Sequence, residues 1–208
     1  MNESVPTWLL WAREIQAIGQ TGLQFSVSEY DRQRYQRLVV LAAEIFTDQT
    51  GQDITAFRQS FDMQSGYATP KVDVRAAVFN GDQILLVQER TDQRWSMPGG
   101  FADVNEPPSA MIEREVREES GYLVKARKLV GVYESNHDRH PLEVYHVYKL
   151  VFLCDLVGGN PEKSFETLDV GMFPLDQLPE LSLGRTTSRF IQEAYVHWLA
   201  PDRPTAFD

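Results

Sequence analysis

The spacing of the apolar residues changes near residue 65 of this 208-residue chain. Before that point apolar residues recur at steps of three and four, which is typical of helices with one buried face. After it they alternate with other residues, as in strands that bury one side. The sequence therefore predicts a small α-helical domain over residues 1–65 and a second domain over residues 66–208. Because the second domain mixes strands and helices without regular βαβ units, we expect an α+β fold.

Two helices are predicted in the first domain. Helix one is expected to end near Gly19 and Gly22, since glycines interrupt helical patterns. Its apolar face consists of Trp8, Trp11, Ile15 and Ile18. Helix two is predicted to begin after Ser28, a favourable N-cap residue, and to end before Gly51. Residues 53–64 are predicted to form a short third helix or an ordered linker.

Strands and helices are both predicted in the second domain. A turn at residues 80–82, with the sequence Asn-Gly-Asp, is expected to join strands over residues 72–78 and 84–88. A helix over residues 107–120 is predicted because prolines are tolerated in the first turn and Gly121 supplies a stop. The other predicted elements are strands over residues 124–133 and 144–156 and a closing helix over residues 187–199.

Composition limits the classes of partner. The chain has 30 acidic and 20 basic residues and a net charge of -10, which repels nucleic acids and anionic lipids at long range. Cys154 has no cysteine partner, Glu3 lies where a signal peptide would need basic residues, and the longest apolar run spans residues 38–43. A bilayer crossing needs about 20 apolar residues. We therefore expect a cytoplasmic protein with no membrane partner.

Three glutamates share one face of the predicted helix over residues 107–120. Glu115, Glu118 and Glu119 fall within an arc of about 100° at the spacing of an α-helix. Carboxylate oxygens suit a hard cation, Mg²⁺ or Mn²⁺, and such a cation supports hydrolysis of pyrophosphate bonds. The alternative is a solvated acidic face on which Arg114 bridges Glu118.

These glutamates are part of a longer pattern, G-x5-E-x7-R-E-U-x-E-E-x-G-U with U apolar, which runs from Gly100 to Tyr122. The pattern resembles the Nudix box, although Tyr122 stands where that family usually has an aliphatic residue. The resemblance implies the Nudix fold, an α/β/α sandwich around a mixed sheet. It also implies metal-dependent hydrolysis of nucleoside diphosphates that are linked to another moiety.

The resemblance further implies roles for the residues of the box. Metal binding is implied for Glu115, Glu119, Glu118 and the carbonyl of Gly100. Arg114 and Glu106 correspond to the pair that orients the helix in the family. The resemblance therefore implies that Glu118 and Arg114 also contribute to catalysis.

Segments outside the box are similar to those of CDP-choline pyrophosphatases and related hydrolases with an N-terminal helical domain. They lie at residues 67–75, 140–149, 152–154, 158–159 and 181–185. CDP-choline, cleaved to CMP and phosphocholine, is therefore the favoured substrate. ADP-ribose is the alternative, although the spacing from Gly121 to Pro141 is longer than in the family's usual ADP-ribose marker.

Two functions of other classes compete with this prediction. A non-catalytic Nudix-like binding or regulatory module is disfavoured because such modules usually lose carboxylates of the box, which are all present here. Trimming of RNA 3′ ends is an alternative side activity. It would require stacking side chains and a basic groove, which the sequence does not identify.

Residues outside the box complete the predicted site. Glu166 is the first candidate for the base that activates water, with Glu162 and Asp169 as competitors, and a solvated loop glutamate is the alternative. Arg75 is predicted to contact a phosphate or to form an ion pair on the sheet. Substrate binding is also predicted for His137, Tyr145 and His146, although a core position suits the tyrosine equally well. Cys154 is expected to be a buried small apolar residue.

The first domain carries more apolar surface than two short helices bury alone. We therefore expect these helices to form part of a homodimer interface or to shape the entrance to the substrate site. A purely structural role as a support for the second domain is the alternative.

Overall fold

The structure of this chain is a computed structural model that describes residues 5–55, 65–135 and 145–208. It divides into two compact units. The helical unit comprises Met1–Pro70 with Val144–His146, and the sheet unit comprises Lys71–Glu143 with Val147–Asp208. Within the described ranges, no helix combines the length and the apolar content that a membrane crossing requires. The domain boundary after residue 65 remains a proposal.

The helical unit contains helices α1 (Thr7–Phe25) and α2 (Glu29–Thr50). Ser28 is the N-cap of α2, and its side chain accepts a hydrogen bond from the amide of Asp31 at 3.4 Å. Gly51 ends the helix at a φ of 69°, in the left-handed region. The prediction of helix two is therefore confirmed. Residues 56–64, which carry most of the predicted third helix or linker, lie outside the described residues.

The prediction that α1 ends near its two glycines is wrong. The helix continues through Gly19 and Gly22 because both allow α2 to approach closely. A Cβ atom at Gly19 would lie 2.7 Å from Cγ2 of Val39, and one at Gly22 would collide with the ring of Tyr35. These glycines therefore serve packing between the helices and do not terminate α1.

The predicted apolar face of α1 is buried only in part. The buried residues of the helix are Leu9, Ala12, Gly19 and Gln20. On the predicted face, Trp8 and Ile15 are partly buried, whereas Trp11 and Ile18 are exposed. Small residues on the buried face let the two helices pack closely, and Trp8 packs edge-on against Phe46 of α2.

Within its described residues, the sheet unit contains seven strands, two helices and two cores. The strands are β1 (Lys71–Asn80), β2 (Gln83–Glu89), β3 (Trp95–Ser96), β4 (Tyr122–Glu134), β5 (Val147–Gly159), β6 (Thr167–Pro174) and β7 (Ala206–Phe207). The helices are α3 (Pro108–Ser120) and α4 (Ser188–Leu199). The strand order is β3-β2-β1-β5-β4-β7, and β6 pairs with β2. Strands β1 and β5 are parallel, as are β4 and β7, and the other pairs are antiparallel.

Helices α3 and α4 pack on different faces of this sheet. Alternate residues of β1, such as Val74 and Ala76, join a core with Met111 of α3. The intervening residues, such as Ala77, join a core with Phe190 of α4. The α+β class and the α/β/α sandwich around a mixed sheet are therefore confirmed. The predicted strands and the helices α3 and α4 are present, whereas β3, β6 and β7 were not predicted.

Candidate functional site

Arg114 is the centre of a cluster of carboxylates on α3 and on the loop before it. Its Nη2 atom lies 2.9 Å from Glu106 and 3.1 Å from Asp103. Its Nη1 atom lies 2.9 Å from Glu115 and 2.8 Å from Glu118. Hydrogen bonds to Glu106 and Glu118 raise the pKa of Arg114. Arg114 therefore connects the loop that precedes α3 to the acidic face of the helix.

Glu119 lies on the buried side of the same helix. Its carboxylate accepts a hydrogen bond from the amide of Gly99 at 2.9 Å. Burial raises its pKa to about 8, and the neighbouring carboxylates Glu89 and Glu115 add to the rise. Arg75 and the Gly99 amide oppose it. Since the pKa of Glu119 stays raised despite these two groups, an additional positive charge nearby would favour the ionised carboxylate.

Glu115 lies near Gly100 and pairs with Arg114. Burial raises the pKa of Glu115, while Arg114 opposes the rise. A Cβ atom at Gly100 would lie 3.8 Å from Oε2 of Glu115. The Gly100 carbonyl accepts a hydrogen bond from the amide of Val74 at 2.8 Å, and its second lone pair remains available to a ligand.

The glycine loop, residues 97–100, requires glycine at its third position. Gly99 has a φ of 138°, and a Cβ atom there would collide with the carbonyl oxygen of Val74. The carbonyl of Pro98 accepts a hydrogen bond from the amide of Ala76 at 2.9 Å. The loop therefore lies directly on β1, and its amide at Gly99 is aimed at Glu119.

The donors of this site fit a hard divalent cation. Glu115, Glu119 and the Gly100 carbonyl offer oxygen atoms, which Mg²⁺ and Mn²⁺ prefer. Burial, together with repulsion from Glu89 and Glu115, raises the pKa of Glu119, and a bound cation would favour its ionised form. Glu118 is half-exposed and paired with Arg114. Among the described residues, no three acidic, histidine or cysteine side chains already converge as a metal site.

Arg75 is buried on β1 with 3% of its surface exposed. Its Nε and Nη2 atoms lie 2.9 and 2.8 Å from the two carboxylate oxygens of Asp73. Its Nη1 atom donates to the carbonyl of Met97 at 3.2 Å. Arg75 thus forms the ion pair that was the alternative to a phosphate contact, and the phosphate contact stays a prediction.

Glu166 lies on the exposed loop before β6. Its charge is near enough to raise the pKa of Glu115, and its amide donates to the side chain of Ser164 at 3.1 Å. The competitor Asp169 pairs with Lys163 at 3.3 Å. The structure therefore brings Glu166 into electrostatic range of the acidic face, and its role as base stays a prediction.

His137, Tyr145 and His146 are the other residues predicted to bind substrate. His137 lies outside the described residues. Tyr145 and His146 are grouped with the helical unit, where the Tyr145 carbonyl accepts a hydrogen bond from Arg13 at 2.6 Å. Their part in substrate binding stays a prediction. Cys154 is buried as predicted, and burial raises the pKa of its thiol to about 12.

Several charged residues beside the site were missed in the sequence. Asp73 holds both Arg75 and Lys149, whose Nζ atom lies 3.6 Å from it. Glu89 accepts a hydrogen bond from Ser96 at 2.6 Å and pairs with Arg185 at 3.2 Å. The signal that could have identified them is a charged residue within a strand that is otherwise apolar, since buried charges need partners.

Two family descriptions match the chain. Residues 69–194 match the family described as NUDIX domain. Residues 6–61 match a family described as UDP-X-like, N-terminal oligomerisation domain.

Individual relatives extend this result. The protein YjhB of Bacillus subtilis, named as a candidate ADP-ribose pyrophosphatase, is 41% identical over 201 residues, which cover 97% of each chain. The crystal structure of a UDP-X diphosphatase is 32% identical with a TM-score of 0.62, covering 97% of this chain and 98% of that one. A Streptococcus suis ADP-ribose pyrophosphatase structure is 39% identical with a TM-score of 0.62, covering 67% of this chain and 100% of that one.

Proposed function

This chain belongs to the Nudix hydrolase family and acts on pyrophosphate bonds, and from that premise we propose that its substrates are nucleoside diphosphates linked to a second moiety. The observation that carries the proposal is the position of Glu119, which is buried on the acidic face of α3 and hydrogen-bonded to the glycine loop. A diphosphate is stabilised by a bound metal cation, and this face offers the oxygen ligands that would hold such a cation.

We propose that Glu115 and Glu119 bind Mg²⁺ or Mn²⁺ together with the Gly100 carbonyl, and that Glu118 supports them. When bound, such a cation supplies positive charge that stabilises the diphosphate and favours ionisation of water. Arg114 orients the helix by holding Glu106 on one side and Glu118 on the other. The glycine loop fixes the position of Glu119 through the amide of Gly99.

Glu166 is the proposed base. Its carboxylate would accept the proton of the attacking water, and its charge already reaches Glu115. General base catalysis contributes about 10²- to 10⁴-fold, so Glu166→Gln should lower kcat by at least that lower factor. Turnover within a few-fold of the wild type would remove Glu166 from the mechanism.

The identity of the second moiety and of the nucleobase in the substrate can be tested directly. CDP-choline was favoured by the sequence, but the names of the relatives do not support it. They name ADP-ribose and UDP-X. We therefore propose ADP-ribose as the first substrate to test, with UDP-linked compounds and CDP-choline beside it.

The decisive experiment measures phosphate release with a coupled phosphatase, with Mg²⁺ or Mn²⁺ present. The panel contains ADP-ribose, UDP-glucose, CDP-choline, CDP-ethanolamine, dinucleoside polyphosphates and nucleoside triphosphates. A preference for one nucleoside diphosphate-X compound supports the proposal and identifies the X group. A preference for triphosphates, or no activity on any member, would overturn it.

Glu119→Gln tests the metal site in the same assay. A metal ion contributes several kcal/mol to transition-state stabilisation, so kcat/KM should fall by at least about 100-fold. The matched control is Glu113→Gln on the same helix, where the side chain instead accepts a hydrogen bond from the amide of Ala126 at 3.0 Å. Its activity should equal that of the wild type.

We also propose that the helical unit mediates a homodimer. Large apolar side chains remain exposed on α1, and the matching family is described as an oligomerisation domain. A monomer by light scattering at micromolar concentration would contradict the homodimer.

A further inference from the structure

The segment of residues 180–186 runs beside β3 and ends on the glycine loop. The amide of Trp95 donates to the carbonyl of Glu180 at 2.9 Å, and the amide of Ser182 donates to the carbonyl of Trp95 at 2.8 Å. The side chain of Thr186 accepts a hydrogen bond from the amide of Met97 at 2.9 Å. Thr186 has 0% of its surface exposed. The segment therefore fixes the backbone that leads into the loop.

The far end of the glycine loop is fixed by other elements. Gly99 donates to Glu119, and the carbonyl of Gly100 accepts from β1. Only one residue, Pro98, separates the amide held by Thr186 from the amide that holds Glu119. Because Gly99 lies against the Val74 carbonyl without space for a Cβ atom, a shift of the loop toward β1 is excluded by contact. A shift away from β1 would break the hydrogen bonds that Pro98 and Gly100 accept from β1, and Thr186 fixes the amide of Met97 that precedes them.

Arg185 adds a charged contact to the same segment. Its Nε atom lies 3.2 Å from Oε1 of Glu89. The hydroxyl of Ser96 donates to that oxygen at 2.6 Å, and Nη1 of Arg75 lies 3.9 Å from it. The other end of the Arg185 guanidinium donates to the hydroxyls of Ser182 and Thr91, each at 3.1 Å. Arg185 therefore ties the segment to β2 and supplies a cation to the buried carboxylate beside Arg75.

We infer that Thr186 and Arg185 are positioning residues that hold the glycine loop against Glu119 during pyrophosphate hydrolysis. The inference rests on the proposed function, since it assigns the loop to the reacting site. Neither residue contacts the acidic face of α3 in the bonds described above. They act through Met97 and Glu89, so the effect of changing them should appear in the geometry of the site.

The test replaces Thr186 by valine and by serine. Thr186→Val keeps the shape of the side chain but removes the acceptor of the Met97 amide, whereas Thr186→Ser keeps the oxygen. Removing a group that orients a metal ligand typically costs about 10- to 100-fold in metal affinity or activity. We expect a loss of that size for Thr186→Val, both in kcat and in Mn²⁺ affinity measured by electron paramagnetic resonance without substrate. Thr186→Ser should stay within about three-fold of the wild type.

Thr205→Val is the matched control. The side chain of Thr205 donates to the carbonyl of Leu129 at 3.0 Å, on an exposed part of the sheet unit. The same chemical change there should alter neither kcat nor Mn²⁺ affinity. Circular dichroism and thermal melting of each variant separate a loss of fold from a loss of positioning.

Two results would overturn the inference. The first is a Thr186→Val protein that melts at a lower temperature but keeps wild-type kcat and Mn²⁺ affinity, because the threonine would then only stabilise the fold. If Thr186→Val does not fold, Arg185→Gln decides, since that side chain is one-third exposed. Loss of Mn²⁺ affinity in Arg185→Gln supports the inference, and wild-type affinity contradicts it.

The Mn²⁺ measurement also separates this inference from the proposed function. If the wild type hydrolyses no member of the panel, the substrate class fails. The effect of Thr186→Val on Mn²⁺ affinity still decides whether residues 180–186 position the metal site.

Discussion

The helical unit exposes apolar side chains, which are usually buried, whereas the sheet unit buries charged side chains, which are usually exposed. The helical unit exposes large apolar residues, with 61% of Trp11 and 69% of Phe25 accessible to solvent. The sheet unit buries charges, since Arg75 and Lys149 each have 3% of their surface exposed. An exposed apolar surface is stabilised by association, whereas a buried charge is stabilised by a counter-charge.

This difference identifies what each unit needs from outside. The exposed residues Trp11, Ile18 and Phe25 are seven positions apart on α1, so they share one face, and a second copy of the chain would cover it. The sheet unit instead concentrates carboxylates around Glu119, and a cation would neutralise them. These environments support our proposals of association for the helical unit and of metal binding for the sheet unit.

The largest expected effect is the loss of the buried counter-charge in the sheet unit. Asp73→Asn leaves Arg75 and Lys149 without their shared carboxylate. Removing one partner of a buried ion pair costs about 3–5 kcal/mol, so the free energy of unfolding in urea should fall by that amount. Asp155→Asn is the matched control, because the Asp155 pair with Arg127 is partly exposed and such pairs contribute about 0–1 kcal/mol. Equal losses in both variants would contradict the comparison.

The second effect concerns the exposed face of the helical unit. Trp11→Lys places a charge on the face that we propose for the dimer. Central aromatic residues of interfaces contribute about 2 kcal/mol or more, so the dimer dissociation constant should rise about 30-fold in sedimentation equilibrium. Tyr30→Lys is the control, since Tyr30 is exposed on α2. If both variants dimerise as the wild type does, another surface forms the dimer.

The sequence was more informative for the sheet unit than for the helical unit. Gly121 was correctly predicted to end α3, because a left-handed terminus, here with a φ of 75°, favours glycine locally. The spacing of Arg114, Glu115 and Glu119 likewise depends only on the geometry of one helix. Such features are readable because each is decided within a few residues of the chain.

Other features depend on contacts between distant segments and were missed for that reason. Glycine usually disfavours a helix, but Gly19 lies within α1, where its lack of a side chain lets Val39 pack closely. Thr186 lies 89 residues from Met97 along the chain, and nothing in its neighbours in sequence indicates the hydrogen bond. Strand β6 pairs with β2 across a similar separation. Tertiary packing, not local preference, decided these positions.

The third effect tests the close packing of the helical unit. Alanine is favoured over glycine within a helix by about 1 kcal/mol. At Gly19, however, the added Cβ atom would lie 2.9 Å from the backbone oxygen of Tyr35, and overpacking costs about 1–3 kcal/mol. Gly19→Ala should therefore lower the free energy of unfolding by about 1 kcal/mol in urea. At the control position Gly158, the new Cβ atom would meet Leu123 at an ordinary 3.9 Å. A stabilised Gly19→Ala protein would show that the helices are not packed this closely.

The smallest effect is the pH dependence contributed by His197, a buried residue of α4 whose Nε2 atom lies 3.3 Å from Glu193. Burial lowers the pKa of His197, and the charges of Lys128 and Arg203 act in the same direction, whereas Glu193 opposes them. The folded protein therefore binds the proton less readily than the unfolded chain does. The contribution of the neutral His197 to stability is complete above the ordinary pKa of 6.5. It is lost as the pH falls through the unfolded-state pKa and then the lower folded-state pKa.

Urea unfolding at about pH 7 and about pH 5 should show a larger loss of stability on acidification in the wild type than in His197→Leu. Lys128→Met should reduce the same loss more weakly, because it removes one of the charges that lower the pKa. An equal pH dependence in His197→Leu and the wild type would mean that the buried charges of the sheet unit, and not this imidazole, control its response to acid.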